Sequence, residues 1–246
     1  MVFSKICKGN SSEVENNLKS IRKARGIKYI HAIDMDNFLV KPADPFFIGF
    51  ADVNNYEAAC KFIPKRSPDE KVEVHVLRNN KPHVAEPSEL DRNMNNQRDG
   101  RGNLIYDASY IQDTVYTVKF IENVIVNGKK ELVRKYLKMN NCTLKFSSYH
   151  VVKNKMRYYD KTLKEAVTPL DNNGYTFELF TYDAFPMARP ESFGLLEIRR
   201  EDEYAPITQA SGAIDETPET ARQALSLLHQ RWLESRGVSF ESKGRL

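Results

Sequence analysis

The segment from Tyr29 to Phe50, YIHAIDMDNFLVKPADPFFIGF, constrains this chain more than any other. Tyr29 to Ile33 reads as a β-strand, and it stops at the acidic cluster Asp34-Met35-Asp36-Asn37. In an α/β sheet, ligands bind outside the carboxyl ends of strands. A carboxylate there suits a divalent cation, and a cation suits phosphates. The residues alone leave a second reading open, in which Asp36-Asn37 is a helix cap or an Asx turn. No glycine-rich segment precedes the strand, and the 11 glycines do not cluster, so no backbone-amide cradle for phosphates is expected.

A length of 246 residues fits one large domain or one domain plus a small appendage, and 41% hydrophobic residues suffice for a core. The formal net charge of +4 is too mild to argue for nucleic acid. It is compatible with an anionic small molecule. No apolar run has the length of a membrane span, and the first residues do not resemble a secretory signal. Cys7, Cys60 and Cys142 are widely spaced and odd in number, so neither a disulfide framework nor a zinc site is expected. Cytoplasm is the default location, with no membrane partner.

The order of elements reads as mixed α/β. A polar helix is expected from Ser12 to about Arg25, ended by Gly26. Pro45 starts a short helix through Phe50. Strands are expected at Cys60 to Ile63, Val72 to Leu77 and Val84-Ala85, with Asn79-Asn80 as a hairpin turn. Ser88 to Arg98 reads as a helix. Asn103 to Val126 mixes a short strand, Leu104 to Tyr106, with a helical segment. Lys129 to Met139 is a lysine-rich amphipathic stretch. Further strands are expected at Phe146 to Val152, Arg157 to Asp160 and Phe193 to Ile198, and a helix at Phe177 to Met187. The last helix is capped by Thr217, with Pro218 in its first turn, a stripe of Ala221, Ala224, Leu225, Leu228 and Trp232, and Gly237 as its stop.

Other constellations carry chemistry, each beside a plainer reading. Glu86 can accept hydrogen bonds from sugar hydroxyls; Glu86-Pro87-Ser88-Glu89 also reads as a helix start. Lys153 and Lys155 share a strand face and suit a phosphate, or simply solvate an edge strand. Asn172-Asn173-Gly174 reads as a turn with Gly174 at positive φ. The aromatics after it, Phe180 included, read as core. No Ser-His-Asp order, Cys-His pair or metal-binding histidine spacing stands out.

In combination these stretches resemble a known family. The succession of DNFLVKPADPFFIGF, KRSPDEKVEV, AEPSEL, YHVVKNK, NNGYTFELFTYDAF, RREDEYAP and DETPETARQALSLLHQRWLESRG is similar to the eukaryotic UDP-N-acetylhexosamine pyrophosphorylases, from about Arg25 to Gly237 and over the C-terminal half of the family only. The resemblance implies a partial Rossmann-type, glycosyltransferase-A-like mixed sheet with a small C-terminal helical appendage. Residues 1–26 would be an N-terminal helix, 27–210 part of a nucleotidyltransferase catalytic domain, and 211–246 the appendage. It implies Mg²⁺ as cofactor, with UTP and an N-acetylhexosamine 1-phosphate as substrates. By resemblance Asp36 contacts metal and UTP, Glu86 the sugar, Lys155 a phosphate in the catalytic step, and Asn173, Gly174 and Phe180 the substrate side.

The departures from the family are specific. Its glycine-rich UTP loop is missing. Pro87 replaces a tyrosine, Thr208 a lysine that meets the sugar phosphate, Asn154 the first of two lysines, and Glu73 a glycine. A lost charged hydrogen bond to phosphate costs about 1.5–3 kcal/mol. The expectation is therefore a pyrophosphorylase-like chain, incomplete or inactive by itself. The alternative is a non-catalytic paralogue that binds a sugar nucleotide or regulates a full-length homologue. A sheet without the preceding strands would expose an edge, which a partner chain or the helix Ser12 to Arg25 would cover, or which would leave the chain poorly soluble.

Overall fold

The computed structural model describes residues 26–124, 150–178 and 180–240. The expected helix Ser12 to Arg25, the stretch Lys129 to Met139, Cys7 and Cys142 lie outside them. The chain divides into two compact units, one holding residues 20–121 and 185–246, the other holding 1–19 and 122–184.

The larger unit is built on a mixed sheet. Its strands are β1 (Tyr29–Ala32), β2 (Ala58–Pro64), β3 (Val74–Arg78), β4 (Lys81–Ala85), β5 (Ala108–Thr117) and, much later in the chain, Phe193–Glu197. The order runs from Phe193–Glu197 through β2, β5 and β3 to β4, with β1 also paired to β5. Phe193–Glu197 is parallel to β2, and the other pairs are antiparallel. β5 is the hub, although the sequence reading held only a short strand before it. Leu104 makes just an isolated bridge to Arg98, and the ten-residue strand begins at Ala108. Its alternation is hidden because both faces are covered. Val115 packs under α1 (Pro45–Val53) with Phe47, Ala51 and Ala59. Tyr116, one residue on and therefore on the opposite face, meets Phe120 and Phe185.

Local signals explain the other elements. Asp44 caps α1 by accepting from the Phe46 amide, and Pro45 sits in its first turn. Asn79 and Asn80 both adopt left-handed backbone, at φ 53° and 56°, which is what a two-residue hairpin turn needs. The expected helix from Ser88 to Arg98 shrinks to α2 (Arg92–Asn96), capped by Asp91. The C-terminal helix follows after the short α3 (Arg200–Glu203). It is α4 (Pro218–Glu234), closed at its start by a reciprocal Thr217–Thr220 capping box, with Gly237 at φ 87° beyond its end. Ala221 and Leu228 bury against Leu39 and Ala205. Trp232 does not join that stripe: it is 54% exposed.

The smaller unit carries two hairpins. β6 (His150–Asn154) pairs with β9 (Gly174–Glu178), and β7 (Tyr158–Asp160) with β8 (Glu165–Val167). The expected helix from Phe177 is instead strand as far as Glu178, followed by a 3₁₀ helix at Thr181–Met187. Pro186, inside that segment, lacks the amide an α-helix would use. In chain order Phe193–Glu197 is then β10.

Candidate functional site

The acidic turn is held by its neighbour rather than by itself. Asn37 is buried, and its side chain closes three hydrogen bonds. Its Nδ2 donates to the Glu203 carbonyl at 2.8 Å, and its Oδ1 accepts from the amides of Ala205 at 2.9 Å and Leu39 at 3.3 Å. The Asx-turn reading of the sequence therefore holds for Asn37. Asp36 is exposed, its amide bonded to the Asp34 carboxylate, and its carbonyl accepts from Ile207. This ladder brings Asp36 beside the Pro206–Thr208 segment.

Beneath the turn lies a charge network that the sequence did not announce. Lys61 is fully buried, with Nζ at 2.6 Å from both Asp44 Oδ2 and Glu203 Oε2 and 3.7 Å from Asp113 Oδ2. Burial by itself would lower the ammonium pKa. The bonds to Asp44 and Glu203, with the Asp113 charge, outweigh it and raise the group above its ordinary value. Burial also pushes the Asp44 carboxyl up, but the bonds from Lys61 bring it below the usual carboxylate range. Asp113 reaches this network because β5 bulges. Between the pairs Cys60–Thr114 and Tyr110–Phe62, β2 supplies only Lys61 while β5 supplies Ile111, Gln112 and Asp113, with Gln112 at φ 53°. Bulges re-aim side chains in this way. His31 Nδ1 accepts from the Ala43 amide, so its proton sits on Nε2 and donates to Asp113 at 2.6 Å. The hydrogen bond also holds Ala43 in left-handed backbone, φ 53°.

β1 stops opposite Thr114 and β3 starts opposite Ser109, on the same edge of β5. Asp34 and Glu73 border this break in pairing. Burial raises the Glu73 carboxyl, and the charges of Glu86 and Asp34 raise it further. Glu86 and Asp34 thus both act on Glu73, and Asp34 is hydrogen-bonded to the Asp36 amide. Thr208 hydrogen-bonds Glu216, and Pro206 and Glu216 line a cavity of about 280 Å³ together with Tyr204 and Thr220.

The smaller unit holds the other expected residues. Lys155 is exposed between two locked neighbours. Asn154 Nδ2 donates to Thr176 Oγ1 at 2.7 Å, and Asn173 both accepts from the Met156 amide at 2.7 Å and donates to its carbonyl at 3.0 Å. The Asn173 side chain therefore braces the strand ends. Gly174 is not among the positive-φ residues; a Cβ there would meet the Met156 side chain, which is exposed and would have to turn aside. Phe180 stacks on Tyr182 with ring centroids 5.0 Å apart.

Among the described residues, no group of three or more His, Cys, Asp or Glu is arranged to hold a metal. Asp36 still fits Mg²⁺ of the kind held by one or two carboxylates and substrate phosphates, because its carboxylate faces solvent on a rigid turn. None of the described helices is long and apolar enough to cross a membrane.

No family model matches the chain. Curated relatives do. The UDP-N-acetylglucosamine pyrophosphorylase of Saccharomyces cerevisiae is 33% identical over 91% of this chain and 44% of its own length. The human UDP-N-acetylhexosamine pyrophosphorylase-like protein 1 is 34% identical over 88% of this chain and 39% of its own length. The chain belongs to the UDP-N-acetylhexosamine pyrophosphorylase family. It spans less than half the length of these relatives. The solved Trypanosoma brucei uridine diphosphate N-acetylglucosamine pyrophosphorylase superposes with a TM-score of 0.70 at 28% identity, over 89% of this chain and 38% of that one. A chain from Entamoeba histolytica gives 0.74 at 25% identity, over 92% and 51%. The fold is the Rossmann-like mixed sheet of UDP-sugar pyrophosphorylases.

Proposed function

We propose that this chain is the sugar-side portion of a UDP-N-acetylhexosamine pyrophosphorylase scaffold that retains sugar-nucleotide binding and does not catalyse uridylyl transfer by itself. In the full reaction, a phosphate oxygen of N-acetylglucosamine 1-phosphate attacks the α-phosphorus of UTP. The bond from that phosphorus to the β-phosphate bridging oxygen breaks, and pyrophosphate leaves. Alignment and neutralised phosphate charge account for most of the catalysis in such displacements. Asp36 would hold Mg²⁺, which when bound offsets charge on the phosphate oxygens. The Asn37 clamp and the Lys61 network keep that carboxylate in place. Glu86 would accept from sugar hydroxyls.

The observation that carries the non-catalytic reading is the position of Glu73. Glu73 is near enough to Glu86 and Asp34 for their charges to raise its carboxyl further, and in the proposed binding mode the sugar phosphate would approach this group of carboxylates. Like charges held close repel. Thr208, bonded to Glu216, supplies no counter-charge. This observation favours the paralogue form of the function, a binder of UDP-sugars or a regulator of a longer homologue.

The full chain, supplied with UTP, Mg²⁺ and N-acetylglucosamine 1-phosphate, is expected to release no pyrophosphate above background. Calorimetry with UDP-N-acetylglucosamine should find weak binding that tightens ~10-fold or more in Glu73→Gly. Turnover by the unaltered chain would refute the inactive reading. Absence of binding in both proteins would refute retention of the sugar-nucleotide site.

A further inference from the structure

A second cavity, of about 430 Å³, lies away from the acidic turn and is lined by Lys65, Lys71, Val72, Ser88, Arg92 and Asn95 among others. Val72 and Val74 lie on one side of the extended chain, and Val72 contributes to the cavity wall while packing on the Val74 cluster. The lining includes Pro87 and Ser88, which follow Glu86 in the chain, but none of Asp34, Asp36, Glu73 or Glu86.

The cavity has the composition of an anion site. Lys65 is only 9% exposed, and among the described residues its ammonium makes one hydrogen bond, to Asn95 Oδ1 at 2.9 Å. An ammonium has three donors, and a buried charge is costly without a counter-ion. Lys71 and Arg92 stand at the rim, both exposed, and no side-chain hydrogen bond or ion pair engages either among the described residues. Arg92, Asn95 and Asn96 fall on one face of α2 by their i, i+3, i+4 spacing and line the cavity; Asn95 Nδ2 donates to the Leu90 carbonyl and Asn96 Nδ2 to the Arg92 carbonyl, so the guanidinium is the group this helix offers a ligand.

The acidic groups nearby do not cancel this. Glu70 is bound at 2.7 Å to Arg200, and its second oxygen accepts from the Arg66 amide at 2.6 Å. Asp69 is exposed at the rim. Asp107 and Glu70 raise the Lys65 ammonium, but desolvation is the larger effect and the group stays below its ordinary value. A bound dianion would reverse that balance.

We infer that the Lys65–Lys71–Arg92 cavity is a binding site for a small, soluble phosphate-bearing compound, separate from the UDP-sugar site. The volume is that of a small-molecule pocket. Lys65 serves as the buried point charge, Arg92 as a planar fork for two phosphate oxygens, and Lys71 closes the rim.

The test is a titration of the full chain with inorganic phosphate in chloride buffer, read by calorimetry. Saturable binding is expected, weakened at least ~10-fold in Lys65→Met and several-fold in Arg92→Ala. Arg92 is exposed, so its variant keeps the fold if Lys65→Met does not. Lys65→Met should leave UDP-N-acetylglucosamine binding unchanged, which separates this site from the proposed sugar-nucleotide site. No saturable binding by the unaltered chain, or equal binding by both variants, would overturn the inference. Sedimentation with phosphatidic-acid vesicles but no response to inorganic phosphate would overturn the assignment to a soluble compound.

Discussion

Lys61 and Lys65 are four residues apart, and both are buried, yet their surroundings shift them in opposite directions. Lys61 is enclosed by Asp44, Glu203 and Asp113, and it stays charged because it is surrounded by counter-charge. Lys65 has one amide partner and an open cavity. His75 is a further step along the same scale. It is buried among Tyr110, Phe185 and Phe193, neither ring nitrogen has a hydrogen-bond partner among the described residues, and desolvation lowers it to about 3. The three residues show that burial alone does not reveal what a basic group does. A satisfied cation ties elements together, a half-satisfied one at a cavity marks a place for a ligand, and an unsatisfied base stays neutral as packing.

The comparison breaks first at Lys61. Lys61→Met should remove the cation shared by Asp44, Glu203 and Asp113, leaving, among the described residues, Glu203 with only Lys41 and Asp113 with only His31, and destabilise the chain by about 3–5 kcal/mol, measured by urea unfolding near pH 7. A loss below ~1 kcal/mol would mean that the network does not join the acidic turn to the sheet. The next effect is at His75. Its folded value lies below the unfolded 6.5, so its contribution is present above pH 6.5 and is lost as pH falls toward about 3, while only the unfolded chain takes up the proton. At pH 5.5 the unaltered chain should therefore have lost about 1.4 kcal/mol that His75→Phe keeps. Parallel stability profiles of the two proteins would contradict a neutral buried ring. The smallest effect is at Lys65. In phosphate-free buffer Lys65→Met should change stability by less than ~1 kcal/mol, or increase it, because no tight ion pair is broken. A loss like that of Lys61→Met would place Lys65 in the structural class and remove the basis for a ligand there.

The turn chemistry was legible in the residues themselves. Asp44-Pro45, Thr217-Pro218, Asn79-Asn80 and Gly237 each determine a local backbone state, and each stands where local propensity puts it. Gly174 shows the boundary of that method. Its identity suggested a left-handed turn, but its backbone is not left-handed, and the neighbouring Met156 side chain lies over it. β5 was misread for a related reason: a strand covered on both faces shows no alternation, and its bulge depends on what β2 places opposite. Asp36 and Glu86 could be named as site candidates from their neighbours in sequence. Glu73 could be named as a departure from the family, but not that the charges of Glu86 and Asp34 act on it, since that depends on the sheet.

By itself, the order of residues determined the family, the mixed α/β class and the Thr217 cap of the last helix, because each rests on groups close together along the chain. Tertiary structure alone decided which charges meet. Lys61 finds partners 17, 52 and 142 residues away, and Lys65 finds an amide 30 residues on beside an open cavity. Coulomb and desolvation energies depend on distance in space and on access to water, and neither is encoded in any short stretch of sequence.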